Sequence, residues 1–236
     1  LLKYGKLLIS GLVVGGLLAG CGAEEQSSGS EPKEEPKAAE QESLNKEEVS
    51  EPKKDKNGNV ELLEVGQKAE SEAGTGELLK IKQVNETVDI APLKVTIQDI
   101  KVIKMTDVDP VFAEDLSYMA DTDVAELKDG FSYVQVKFTA ENTTDGNVEW
   151  YDLMNVVTDK GEQIDGQLKD FFVDDSESDS VFIGKVKKEY QDGFVIKDDQ
   201  INSVKLVFGY TMNGYTMNGD TFEDITGEQT VEYKFE

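Results

Sequence analysis

Along residues 132–141 apolar and polar side chains alternate strictly. Val134, Val136, Phe138 and Ala140 fall on one side, and Tyr133, Gln135, Lys137 and Thr139 on the other. A period of two is the signature of a strand with two unlike faces, so this stretch is predicted to be extended. The same period runs through Leu93, Val95 and Ile97 and then shifts to Ile100, Val102 and Met105. A phase slip inside one strand implies a bulge or a change of sheet. After the turn-forming run Asn142 to Asn147, the chain is predicted to return through Val148 to Tyr151. A hairpin is expected from Val156 to Asp165 around Asp159-Lys160-Gly161. Further strands fit Val181 to Tyr190, Phe194 to Lys197, Ser203 to Tyr210 and Thr230 to Phe235, the last with Val231, Tyr233 and Phe235 on one face. One segment departs from this texture: in Asp109 to Lys128, Pro110 stands near a helix start, followed by Val111, Leu116, and Met119 or Ala120 at helical spacing. It is predicted to be a short helix in a long connection. Roughly eight short strands separated by turn signals argue an all-β, antiparallel β-sandwich over residues 78–236.

Upstream the pattern disappears. From Gly22 to about Gly76 the chain is rich in Glu, Lys, Ser, Pro, Gln and Gly and has no aromatic residue. Such a composition buries too little apolar surface to offset chain entropy, so residues 21–77 are expected to form a disordered, charged tether. Its Glu-Pro-Lys runs stiffen it, and a flexible chain of this length spans on the order of 40 Å. Val60 to Val65 is apolar enough for a short helix or an early strand and stays unassigned.

The first twenty residues carry a different signal. Lys3 and Lys6 precede an apolar run from Leu7 to Ala19, which is shorter than the roughly 20 residues a membrane-crossing helix needs. Leu18-Ala19-Gly20-Cys21 then reads as a bacterial lipobox. The expectation is a lipoprotein signal peptide over 1–20, cleavage before Cys21, and diacylglycerol on its sulfur with a further acyl chain such as palmitate on the new amino group. Two or three chains hold a protein firmly, at about 0.8 kcal/mol per buried methylene. The chain is therefore expected to sit on the extracytoplasmic face of the cell membrane.

Composition narrows the chemistry. The sequence has no His, all 24 of its basic residues are Lys, and Cys21 is its only cysteine. With that thiol lipidated, no thiolate nucleophile, disulfide or soft metal ligand remains, and zinc or copper sites built on imidazole or thiolate are excluded by residue type. General acid–base work would fall to Asp, Glu, Lys or Tyr. The formal charge is −25, and loss of Lys3 and Lys6 with the signal takes it to −27. Nucleic acid, which is held by cations on its phosphates, is an unsuitable partner. An anionic wall polymer would likewise repel the body of the protein.

Three groups of residues carry candidate function. Asp174, Asp175, Glu177 and Asp179 form an oxygen-rich run of the kind calcium takes, as do Asp107 with Asp109 and Asp121 with Asp123. None has the EF-hand's central Gly and terminal Glu. Tyr-Thr-Met-Asn-Gly occurs twice in tandem, at Tyr210 to Gly214 and Tyr215 to Gly219. Because five is odd, a turn or bulge must intervene, and Asn-Gly is a preferred hairpin turn. One reading is a lengthened loop; the other is an exposed adhesive tip made by Tyr210, Met212, Tyr215 and Met217. Trp150-Tyr151 and Phe171-Phe172 could line a sugar-binding face, although one member of each pair is expected in the core. Ser43-Leu44-Asn45-Lys46 matches the Ser-x-x-Lys of penicillin-interacting enzymes but stands in the tether without a second motif.

The succession Ala91-Pro-Leu-Lys-Val-Thr-Ile, Tyr133 to Asn142, Val157-Thr-Asp-Lys-Gly161, a Gly184-containing strand and Lys205-Leu-Val-Phe208 resembles an uncharacterised family of Gram-positive lipoproteins. The domain of that family is similar to the secreted mycobacterial immunogenic antigen. The resemblance covers about Leu79 to Glu236 and implies an immunoglobulin-like sandwich at the cell surface, with no activity or functional residues to carry over. The chain departs from the family in lacking a Pro-Gly before Gly184 and in its doubled pentapeptide. The expectation is a non-catalytic binding module for an envelope protein, peptide or glycan; the alternative is a calcium-dependent enzyme or sensor acting on envelope polymers through carboxylates.

Overall fold

The computed structural model describes residues 49–55, 58–172, 179–213 and 223–235. It is predominantly β, in antiparallel sheets. The main sheet has the order β11-β6-β5-β4-β3, from β3 (Lys68–Ser71), β4 (Gly74–Ile90), β5 (Leu93–Thr106), β6 (Phe131–Asn142) and β11 (Lys187–Ile196). A small hairpin, β1 (Lys53–Lys54) with β2 (Val60–Glu61), precedes it. The ordered body thus begins well before residue 78, which corrects the tether boundary at 77. The reason is that Leu62, Ala69 and Ala73 are buried in one cluster with Leu78, Ile103 and Phe112, so a polar composition with a few well-placed apolar residues suffices when they reach a shared core.

Facing the main sheet are two shorter ones. The first has the order β15-β12-β8-β9, from β8 (Leu153–Thr158), β9 (Gln163–Asp165), β12 (Ser203–Phe208) and β15 (Gln229–Lys234). The second has the order β10-β7-β13-β14, from β7 (Val148–Trp150), β10 (Val181–Phe182), β13 (Thr211–Asn213) and β14 (Asp224–Thr226). Only two residues separate β7 from β8, β12 from β13, and β14 from β15. The two short sheets are therefore continuations of one another across a common break at residues 151–152, 209–210 and 227–228.

One core fills the space between the layers. Phe138 stacks on Tyr190 at 4.7 Å, and Trp150 meets Phe138 edge-on at 6.3 Å, with Phe208 completing the cluster. Aromatic contacts of this kind add about 0.5–1.5 kcal/mol each beyond the area they bury. A second core lies on the opposite face of the main sheet. There Ile103, Met105, Phe131 and Tyr133 are covered by Phe112, Ala113 and Leu116 of α1 (Pro110–Ala120), Leu127 of α2 (Val124–Asp129), and Phe171 and Phe172. At this end the main sheet is consequently buried on both faces, which is why Tyr133 is enclosed along with its apolar neighbours.

Several predicted elements are found where expected, with informative exceptions. The phase slip in β5 is a register shift between Ile97 and Asp99. It leaves Ile100 and Val102 on the inner core and turns Met105, grouped with them by sequence, to the outer one. The predicted helix is two helices, with Pro110 in the first turn of α1. Val181 to Tyr190 is not one strand: β10 and β11 belong to different sheets, and the chain turns at Gly184, which has φ 66°. Conversely, β11 runs unbroken through Gln191 to Gly193. Phe171 and Phe172 are both buried, because they lie outside any strand and strand alternation does not govern them.

Candidate functional site

The break in the second layer begins with backbone geometry. Asp152 takes φ 26°, and its carbonyl accepts the Gly209 N–H at 2.7 Å, pinning the break in β7–β8 to the break in β12–β13. Gly209 is closely approached, since a Cβ there would lie 3.2 Å from the Met154 side chain and 3.3 Å from the Tyr151 carbonyl oxygen, so a larger residue needs those neighbours to shift. The Trp150 indole N–H donates to the Gly209 carbonyl at 2.9 Å. Trp150 thus fills the core while Tyr151, its neighbour, faces solvent. Of that pair, one residue is in the core as expected.

Around the break lies an open groove lined by Tyr210, Asp224, Ile225, Thr226, Gly227 and Glu228. Ile225 is a large apolar residue left 42% exposed. Near Tyr210, Tyr151 donates its hydroxyl to Glu149 Oε1 at 2.7 Å. That hydrogen bond, the Glu149 charge and nearby Tyr210 raise the Tyr151 pKa. Met212 stands in β13 opposite Glu149 on one side and Asp224 on the other. Thr211 fastens this end to the main sheet by donating its hydroxyl to the Ala91 carbonyl at 2.6 Å.

Of the four predicted adhesive residues, Tyr210 and Met212 are therefore placed at one end of the second layer, while Tyr215 and Met217 lie outside the described residues. So do Cys21, the Ser43 to Lys46 motif, and Asp174, Asp175 and Glu177 of the candidate calcium run. Asp179 is described: its carboxylate accepts the Val181 N–H at 3.0 Å, and its carbonyl accepts from Lys188. The other acidic pairs have local roles. Asp109 caps α1 by accepting from Val111 and Phe112, Asp123 caps α2 by accepting from Ala125, and Asp121 ends α1 in the left-handed region. Among the described residues no three Asp, Glu, His or Cys side chains are grouped to hold a metal ion.

Sequence reasoning missed a carboxylate pair beneath the break. Asp152 accepts from the Leu153 N–H at 2.6 Å and from the Gln167 amide at 2.9 Å. Asp170, just past α3 (Gly166–Lys169), accepts on one oxygen both the Gly193 N–H, at 2.7 Å, and the Phe172 N–H, at 3.0 Å. Burial pushes the Asp170 pKa up to about 7, against the two amides that lower it, and the Asp152 charge adds to the rise. Burial likewise raises Asp152, opposed by its hydrogen bonds and by Lys188. Lys188 itself is lowered by burial, while Asp179 and Asp152 pull it back up. The only sequence signal was an Asp before Phe171-Phe172, where it closes an Asx turn.

The fold and this groove define a class, a predominantly β protein with two packed layers and an exposed, acid-rimmed break in one of them. No protein-family model and no curated protein sequence matches the chain. Among solved structures it is similar to a functionally unknown protein from Listeria monocytogenes EGD-e, with a TM-score of 0.43 and 13% identity, over 58% of this chain and 76% of that one. No helix among the described residues is long and apolar enough to cross a membrane.

Proposed function

We propose that this chain is a lipid-anchored, extracytoplasmic binding module of the cell envelope, held by Cys21 and presenting an immunoglobulin-like sandwich, without catalysis of its own. The observation that carries the reading is the groove at the layer break, where Tyr210, Ile225 and the neighbouring Tyr151 leave aromatic and apolar surface in solvent beside carboxylates. Exposed apolar surface set among polar residues is what binding sites share. Anchoring is supported by the Leu18 to Cys21 sequence, and the immunoglobulin-like reading by two antiparallel layers around one aromatic core.

Two measurements test it. Cys21→Ala should abolish uptake of labelled palmitate and release the chain from the membrane fraction; continued membrane partition without label would refute the anchor. A photo-crosslinking amino acid at Tyr210 of the full chain in living cells should give a discrete adduct, and one at Tyr118 of α1, which is 81% exposed, should not. Equal labelling from both positions, or none from Tyr210, would remove the groove as the binding site.

A further inference from the structure

The strand that walls the groove is an edge. Among the described residues β14 pairs as a strand with β13 alone, so the backbone on its far side faces away from the sheet. An unpaired edge is a template for another strand, and natural proteins blunt such edges with Lys, Pro or a cover. Here the blunting charges have the opposite sign. Apart from the half-buried Asp152, the segments that build this end of the layer, 148–154, 208–213 and 223–229, carry four carboxylates (Glu149, Glu223, Asp224 and Glu228) and no lysine, although the chain has 24. Asp224 and Glu228 line the groove itself. Gly227 stands at its bend with no atom of the described residues within 4 Å of where a side chain would project, so a second backbone can approach closely there.

Resting on the binding-module reading, we infer that the occupant is an extended, lysine- or arginine-bearing peptide segment of another envelope protein, which adds to the second layer as a strand beside β14. Backbone pairing supplies the geometry, as in other strand-addition complexes, and alternate side chains supply selectivity. One face of the incoming strand meets Ile225, and its cations meet Asp224 and Glu228. A formal charge of −25 over the chain draws a cationic segment in and repels an acidic one.

The test titrates the full chain, in mild detergent, with a fluorescent peptide of alternating Lys and Val, alongside an alternating Glu and Val peptide and a neutral oligosaccharide. Saturable binding of the Lys peptide alone is expected, with affinity that falls as salt rises. It should weaken about tenfold in the D224K/E228K double variant, since each exposed charge pair contributes a fraction of a kcal/mol and two are reversed. A Lys and Val peptide with alternate backbone nitrogens methylated should fail to bind, because it cannot form the ladder. Circular dichroism melting must be unchanged in the double variant, and Ile225→Ser, which keeps all charges, should also weaken binding. Equal binding of the methylated peptide, or no loss in the double variant, overturns strand addition. Binding of the oligosaccharide in place of the peptide does so too. If the Lys peptide fails while Tyr210 still cross-links a discrete partner in cells, strand addition falls and the binding-module reading stands.

Discussion

Asp170 shows how one side chain ties a segment down. Its single oxygen, accepting from both Phe172 and Gly193, joins the end of α3 to the middle of β11. The folded pKa, pushed up to about 7 by burial, exceeds the ordinary carboxylate value. The contribution of this group is therefore fully present below about pH 4 and is lost as pH rises through 7. In Asp170→Asn the amide oxygen keeps both hydrogen bonds and never ionises. That variant should be the more stable at pH 8, by up to roughly 3 kcal/mol, and equal to the parent near pH 4. Urea unfolding at the two pH values checks this, and a variant less stable at both would refute it. A second buried carboxylate, Asp99, is held by an ion pair. Lys101 lies 3.2 Å from Asp99 Oδ1, both side chains are almost fully enclosed, and that oxygen has no hydrogen bond of its own. Lys101→Met removes this partner and leaves Lys137, across the ladder from Asp99, as its nearby cation, so it should cost up to about 3 kcal/mol, read from the same unfolding curves.

At the scale of elements, capping and close approach decide where strands and helices begin and end. Asp109 accepts from the Val111 and Phe112 amides at 2.9 and 3.0 Å, satisfying donors that the first turn of α1 cannot satisfy itself. Asp109→Ala should cost about 1 kcal/mol and speed hydrogen exchange in that turn ahead of the main sheet. The helix start was legible because Pro110 and an Asp before it are local signals. The continuity of β11 was not. Gly193 reads as a strand breaker, yet a Cβ there would lie 2.3 Å from the Phe172 ring. This glycine serves a neighbour distant in sequence, and no local pattern reveals that. Gly193→Ala should destabilise by about 1–3 kcal/mol through overpacking, measured as a drop in melting temperature. The groove was half legible in the same way. Tyr210 and Met212 stood out as a repeat, whereas Asp224, Ile225 and Glu228 carry no motif and reach the site only through strand pairing.

For the whole molecule, the boundary of the folded body is the main revision. A chain beginning at residue 78 would lose β1 to β3, the first four residues of β4 and the buried Leu62, Ala69 and Ala73. It should fail to unfold cooperatively, while one beginning at residue 49 should melt as a single transition; equal cooperativity in the two would restore the later boundary. The sequence by itself determined the β class, the bulge in β5, the helical connection and the poverty of catalytic residue types, because alternation, turn chemistry and composition are local properties. Tertiary structure decided which faces are buried. The second core, drawn from α1, α2 and the Phe171-Phe172 pair, encloses a face of the main sheet that alternation alone marks as polar. It also decided that three successive chain breaks coincide, and with them where Tyr210, Ile225 and the carboxylates meet. Strand pairing joins residues with no sequence relation to one another, so a surface made that way is visible only once the strands are in register.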